Sequence, residues 1–164
     1  MEPTGLLTIM LWLWLFFAIK LGFIGTALLI QHRMPGFIKR VSERYRTKPN
    51  RLMLLLGLIN SIAIPFIAVL LISTEVLALP GILLLLLYLW LALVCYTVVY
   101  REIGSNLFEE FASNKEVKIT LYGGLIAEAA FFTPVLGQIL SLALFIKSMG
   151  AITMVLLTRK KRGV

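Results

Sequence analysis

Aspartate is absent from this sequence, and cysteine and histidine occur once each, as Cys95 and His32. Without Asp, the usual Asp-centred Mg²⁺ and phosphoryl-transfer sites have no ligand. A single cysteine excludes an intrachain disulfide and any Cys-x-x-Cys finger. A single histidine excludes a paired-histidine haem site within the chain. Charge is scarce as well: 15% of the 164 residues are charged, against about a quarter in an ordinary soluble domain. What is present instead is apolar, 60% of the chain. A soluble domain of this length has too small a core to hide that much Leu, Ile and Phe. The composition excludes an ordinary soluble enzyme, a disordered segment and a secreted disulfide scaffold. It indicates a single integral membrane domain, residues 1–164.

A helix needs about 20 apolar residues to cross a hydrocarbon core of roughly 30 Å. Residues 5–30, 52–73 and 81–100 each supply one such stretch. Met1 to Gly5 carry no basic n-region, and the run that follows is too long for a signal-peptide core, so 5–30 reads as a retained first span. Trp12 and Trp14 suit an interfacial belt. Ala78-Leu79-Pro80-Gly81 reads as the turn before the third span. The last apolar region, 119–158, is about twice the length of one crossing. Thr133-Pro134-Val135-Leu136-Gly137 interrupts it: Pro134 lacks a backbone donor, and Gly137 permits a tight reversal.

Orientation follows from the basic residues. Of the 16 Lys and Arg, seven lie between the first two spans: Arg33, Lys39, Arg40, Arg44, Arg46, Lys48 and Arg51. Arg101, Lys115 and Lys118 flank the 101–118 connector, and Arg159 to Arg162 close the chain. The opposite loops carry none. The positive-inside rule puts all three blocks in the cytoplasm. The 101–118 connector and the C-terminus then share a side, which requires an even number of crossings between them. The expected fold is therefore all-α, a bundle of about five transmembrane helices (5–30, 52–73, 81–100, 119–133 and 138–158). The last two form a Pro/Gly-turned hairpin, with the N-terminus outside and the C-terminus cytoplasmic. The segment 119–133 is the shortest, and suits either a full crossing or a re-entrant limb. The net charge of +8 is then mostly orientation: residues 33–51 and 159–162 are expected to meet anionic lipid headgroups rather than nucleic acid.

The cytoplasmic connectors look amphipathic. Phe37, Val41 and Tyr45 fall at helical spacing opposite Lys39, Arg40, Arg44 and Arg46. Ile103, Leu107, Phe108 and Phe111 form a second stripe, with Glu109, Glu110 and Lys115 off it. The first connector, 31–51, is strongly basic, and the second, 101–118, also carries Glu102 and Glu116. Their opposite signs allow them to pair with each other or to dock a partner, but exposed ion pairs contribute little, so both read first as solvated covers lying in the interface.

Lys20, Glu128 and Lys147 fall inside apolar spans, where a charge costs about 2.5–3.5 kcal/mol on insertion scales and needs a partner or a cavity. Counted from the cytoplasmic ends of their spans, Lys20, Asn60, Glu128 and Lys147 lie roughly 14–18 Å deep, and Tyr88 about 20 Å. They form a candidate midplane polar cluster. Glu128 and Lys147, on adjacent limbs of the hairpin, read as a pair that fixes its register, which leaves one positive charge for a ligand, a partner or a proton path. Gly123 with Ala127, and Gly137 with Ser141, are small-xxx-small pairs that bring helices close. Cys95 reads as a packing residue, and His32 as an interfacial one. No Gly-rich phosphate loop, nucleophile elbow or HExxH motif occurs.

The Ile103-Gly104 connector, the Pro134–Gly137 turn and the Gly150-Ala151 pair give the C-terminal third a pattern that resembles uncharacterised bacterial multi-span membrane proteins. That resemblance implies a bacterial inner-membrane protein and no activity. The residues themselves offer no catalytic set, metal site or cofactor site. The leading expectation is a non-enzymatic accessory or scaffold subunit of a membrane complex, or a homo-oligomer. The second is a small transporter or channel component that uses Lys20, Glu128 and Lys147. A lipid- or quinone-handling enzyme comes last, for want of catalytic groups.

Overall fold

The computed structural model describes residues 3–47, 50–108 and 116–159. Lys48, the Glu109-Glu110-Phe111 stretch with Lys115, and the basic run 160–162 lie outside the described residues. Almost everything described is helical, and no strand occurs among the described residues: α1 (Pro3–Arg33), α2 (Pro35–Thr47), α3 (Asn50–Ser73), a 3-10 turn (Glu75–Leu77), α4 (Ala78–Leu107), α5 (Glu116–Phe131) and α6 (Leu136–Arg159). Leu, Ile and Phe surround α1, α3 and α4 on every face, as they do in helices bordered by lipid or by other helices. Only α2 divides into an apolar and a basic side.

Four stretches are long and apolar enough to cross a membrane: Leu7–Arg33, Arg51–Ser73, Glu75–Leu107 and Leu136–Leu157. The fifth expected span is the exception. It is α5, a helix of 16 residues, about 24 Å at helical rise, which falls short of the roughly 30 Å hydrocarbon core.

Several boundaries differ from the sequence reading for local reasons. The chain turns between α3 and α4 at Thr74, whose hydroxyl donates to the Leu71 carbonyl at 2.8 Å, and not at Pro80-Gly81. Pro80 stands in the first turn of α4, where a backbone donor has no partner to lose. Gly81 instead lets α4 touch α3: a Cβ there would stand 2.7 Å from Ile72. Of the 101–118 connector, 101–107 belong to α4 and 116–118 to α5, and 109–115 lie outside the described residues. Between α5 and α6 the chain breaks at 132–135. The left-handed residue there is Val135, with φ 67°, an unfavourable conformation for a β-branched side chain. Gly137 is not the reversing residue. It lies in the first turn of α6, where a Cβ would press on the Ala130 carbonyl and on Phe131.

Two crossings hold the bundle together. In one, α3 meets α6 at Gly57 and Gly150, and a Cβ on either would overlap the carbonyl of Ile146 or Met53 opposite. In the other, α4 meets α5 at Gly104 and Gly123, against Ile119 and Tyr100. Small residues at a membrane crossing let the backbones approach, and dispersion does the rest. α5 packs on α4 and α1, whereas α6 packs on α3, α4 and α2. The two expected hairpin limbs therefore share α4 but otherwise part, α5 to α1 and α6 to α3 and α2.

The helix α2 is also not a surface cover. Ile38 and Val41 are fully buried and Tyr45 nearly so, in one core with Met53, Val94, Val98, Met149 and Ile152. Its apolar face is turned onto α4 and α6 rather than onto lipid. Lys39 and Arg40 remain exposed on the other side.

α1 and α5 run antiparallel. Phe16 faces Phe132, Lys20 faces Glu128, Ile24 faces Gly124 and Gln31 faces Glu116. Because α5 ends at Phe131, α1 has no α5 neighbour beyond Phe16. All of Leu7 to Ile19 is exposed, Trp12 and Trp14 by 68% and 73%.

Candidate functional site

The antiparallel register of α1 and α5 places Lys20 and Glu128 at one level. Lys20 Nζ lies 2.6 Å from Glu128 Oε2. That oxygen has no other partner among the described residues. The Tyr100 hydroxyl of α4 donates to the second carboxylate oxygen, Oε1. Gly123 and Gly124 admit Tyr100 to this position: the α4 backbone at Tyr100 rests on Gly123, and the Tyr100 ring on Gly124. The Phe16 ring lies beside the ammonium, its centroid 5.6 Å from Nζ, a favourable cation–π placement.

A cleft of about 350 Å³ opens beside the pair. Phe16, Phe17, Ile24, Leu125, Ala129 and Phe132 form most of its wall. Phe16 and Phe132 meet edge-on at 5.9 Å. The Glu128 side chain is 10% exposed and that of Lys20 34%, so the carboxylate is the sheltered partner.

The other residues of the expected midplane cluster sit elsewhere. Asn60 donates to Thr153 Oγ1 at 2.8 Å, from α3 to α6. Lys147 is not paired with Glu128. Its ammonium lies over the Tyr45 ring of α2, 3.7 Å from the centroid. Tyr88 reaches the Ser61 carbonyl at 3.4 Å. Of the four residues read as one cluster, the structure joins Lys20 with Glu128 and separates Asn60 and Lys147.

A second polar group fastens α2. Ser42 Oγ donates to Glu102 Oε2 at 2.6 Å, and the Arg46 guanidinium pairs with Glu102 Oε1. Arg46 also donates to Ser105 and, at 3.5 Å, to Asn106. The Tyr45 phenol is pushed up to about 12, first by burial and then by the negative charge of Glu102. A third group ties α1, α4 and α5 at their lower ends. Glu116 accepts from Gln31 Nε2 at 3.3 Å and from Arg101 Nη2 at 3.1 Å.

Sequence reasoning missed Tyr100, Glu102 and Tyr45 as partners of the charges. Tyr100 carried a signal: it lies four residues from both Tyr96 and Gly104, on the face that meets α5. Glu102 lies just past the expected end of the third span, and the opposite signs of the two connectors leave its pairing with the first as the second choice behind a solvated surface charge. No such signal marked Tyr45.

These features define a helical multi-span membrane protein with one ion pair buried between α1 and α5 and a clamped amphipathic helix. The chain belongs to the family described as a domain of unknown function, DUF8173, whose model matches residues 4–162. No curated protein and no solved structure matches it.

Proposed function

We propose that this chain is a non-enzymatic subunit of a larger membrane assembly, or a homo-oligomer, working through contacts within the bilayer. The observation that carries this reading is the bare first half of α1. From Leu7 to Ile19 every side chain is exposed, although the rest of the bundle packs closely enough to need glycine at its crossings. A large apolar surface beside a tightly built core suits a partner helix. The same reading takes α5 as the remaining limb between the 101–118 region and the C-terminus, with the N-terminus outside and the C-terminus cytoplasmic. The basic block at 33–51 supports that orientation, and with 159–162 would lie against anionic headgroups. On the bacterial resemblance, the location is the bacterial inner membrane.

The test is the size of the gently solubilised protein, by light scattering and native mass spectrometry. A stoichiometric partner or a stable multimer is expected. A monodisperse monomer that supports its cellular role alone would sink the reading. A reporter fused to the C-terminus and read on each side of the membrane checks the orientation, and an external signal overturns it.

A second reading, a small transporter or channel component, is favoured by the partial exposure of Lys20 on an open cleft. It predicts that Glu128→Gln abolishes ion or proton flux into vesicles while assembly is kept. Lost assembly with flux unchanged would make the pair structural.

A further inference from the structure

We propose that the cleft between α1 and α5 binds a neutral lipid of the quinone class. A ring carbonyl accepts a hydrogen bond from Lys20, and the apolar tail leaves the cleft into the bilayer. The inference is independent of the subunit reading, since accessory subunits and lone proteins alike hold lipids.

Depth is the first argument. Lys20 is the central residue of the apolar stretch Leu7–Arg33, thirteen residues from either end. Centred on that stretch, a hydrocarbon core of roughly 30 Å puts Lys20 about 15 Å from each boundary, deeper than phospholipid headgroups and their ester carbonyls reach. A ligand for this site must bring its polar atoms to the bilayer centre, as isoprenoid quinones do.

Charge is the second argument. An ammonium carries three donors. Glu128 Oε2 stands at ion-pair distance, and no second acceptor meets Lys20 Nζ among the described residues. A donor left unsatisfied in hydrocarbon is costly. An anionic ligand would supply an acceptor but would leave a net negative charge beside a pair that is already neutral. A neutral carbonyl supplies the acceptor and leaves the charge balance unchanged.

Shape is the third argument. About 350 Å³ lies at the small end of ligand pockets, which run from roughly 300 to 1,000 Å³. It holds one substituted ring and the start of a tail. Phe16, Phe17 and Phe132 offer aromatic faces to a planar ring. Leu21 and Leu125, at the edge of the cleft, are 61% and 45% exposed, so a tail can pass between them into lipid.

The experiment uses the full chain in phosphatidylcholine nanodiscs. The probes are decylubiquinone, decylbenzene as a tail without carbonyls, and an azido-quinone for photolabelling. Decylubiquinone should raise Tm saturably, as a ligand of the folded state does, and decylbenzene should not. Photolabel should fall on peptides containing Phe16 to Ile24 or Leu125 to Phe132. Ala129→Trp fills the cleft without touching the ion pair and should weaken binding at least tenfold. Lys20→Met with Glu128→Gln keeps the site neutral and should weaken it similarly. An equal response to decylbenzene, labelling elsewhere, or full affinity in Ala129→Trp would overturn the proposal. Should the double variant fail to fold, Ala129→Trp decides alone.

Discussion

Lys20 of α1 closes on Glu128 of α5 at 2.6 Å, and Tyr100 of α4 holds the opposite oxygen of the same carboxylate. One side chain thereby ties three helices at a single level. A buried pair of this kind adds little net stability, but breaking it leaves an uncompensated charge, at a cost of about 3–5 kcal/mol.

The first prediction concerns that asymmetry. Lys20→Met alone should destabilise the protein by about 3 kcal/mol or more, because Glu128 then stands unpaired. Glu128→Gln alone should cost less than Lys20→Met, since Lys20 is one-third exposed on an open cleft while the Glu128 carboxylate is the sheltered partner. The double replacement should recover much of the loss. Reversible unfolding in mixed detergent micelles, arranged as a double-mutant cycle, measures the coupling. Additive single effects would show that the pair is energetically idle.

The second prediction concerns the α3–α6 crossing. Gly57→Ala and Gly150→Ala each place a methyl inside a facing carbonyl. Overpacking of this kind costs roughly 1–3 kcal/mol, and here the backbone itself must move. Gly22→Ala and Gly25→Ala meet nothing within 4 Å and serve as controls. They should be neutral or stabilising by up to about 1 kcal/mol. Thermal unfolding of the four variants in one detergent checks the contrast.

How much of this was legible in the sequence depends on what each feature requires. Apolar length and basic residues are local, and they identified the four long helices. Depth along a span is also local, so Lys20 and Glu128 could be set at one level. Which depth-matched groups touch is decided by helix neighbours, and these follow from the glycine contacts rather than from hydropathy. The split of α5 from α6 at Val135 sends Lys147 to α2 and leaves Glu128 to α1. The inward turn of α2 was illegible for a related reason. An amphipathic face reads the same whether it meets lipid or protein.

The third prediction concerns the α2 clamp. Arg46→Ala removes the donor that joins α2 to Glu102, Ser105 and Asn106. α2 should then loosen before the rest of the bundle, and a protease given access to both membrane faces should cut within residues 35–47 several times faster. Lys39→Gln, on the exposed face, should leave the cleavage rate unchanged. Equal rates for both variants would detach Arg46 from this role.

The fourth prediction is a pH dependence. The Tyr45 phenol ionises near pH 12 in the folded protein, against 10.0 ordinarily. The folded state therefore holds this proton more tightly than the unfolded state. Its contribution to stability is fully present below pH 10 and is lost as pH rises through the interval up to about 12. Tyr45→Phe should flatten that part of a Tm-against-pH curve measured in detergent. An unchanged slope would assign the alkaline loss to other groups.

The short α5 leaves α1 supported along one half only, from Phe16 toward Arg33. The other half, Leu7 to Leu15, is a cantilever. Where no partner helix covers that arm, lipid bears on its tilt, because a helix longer than the local hydrocarbon leans to fit it. The Lys20–Glu128 contact lies near the fulcrum. Membrane thickness thus becomes a mechanical variable for this protein, acting on the free arm of α1 before it reaches any other part of the bundle.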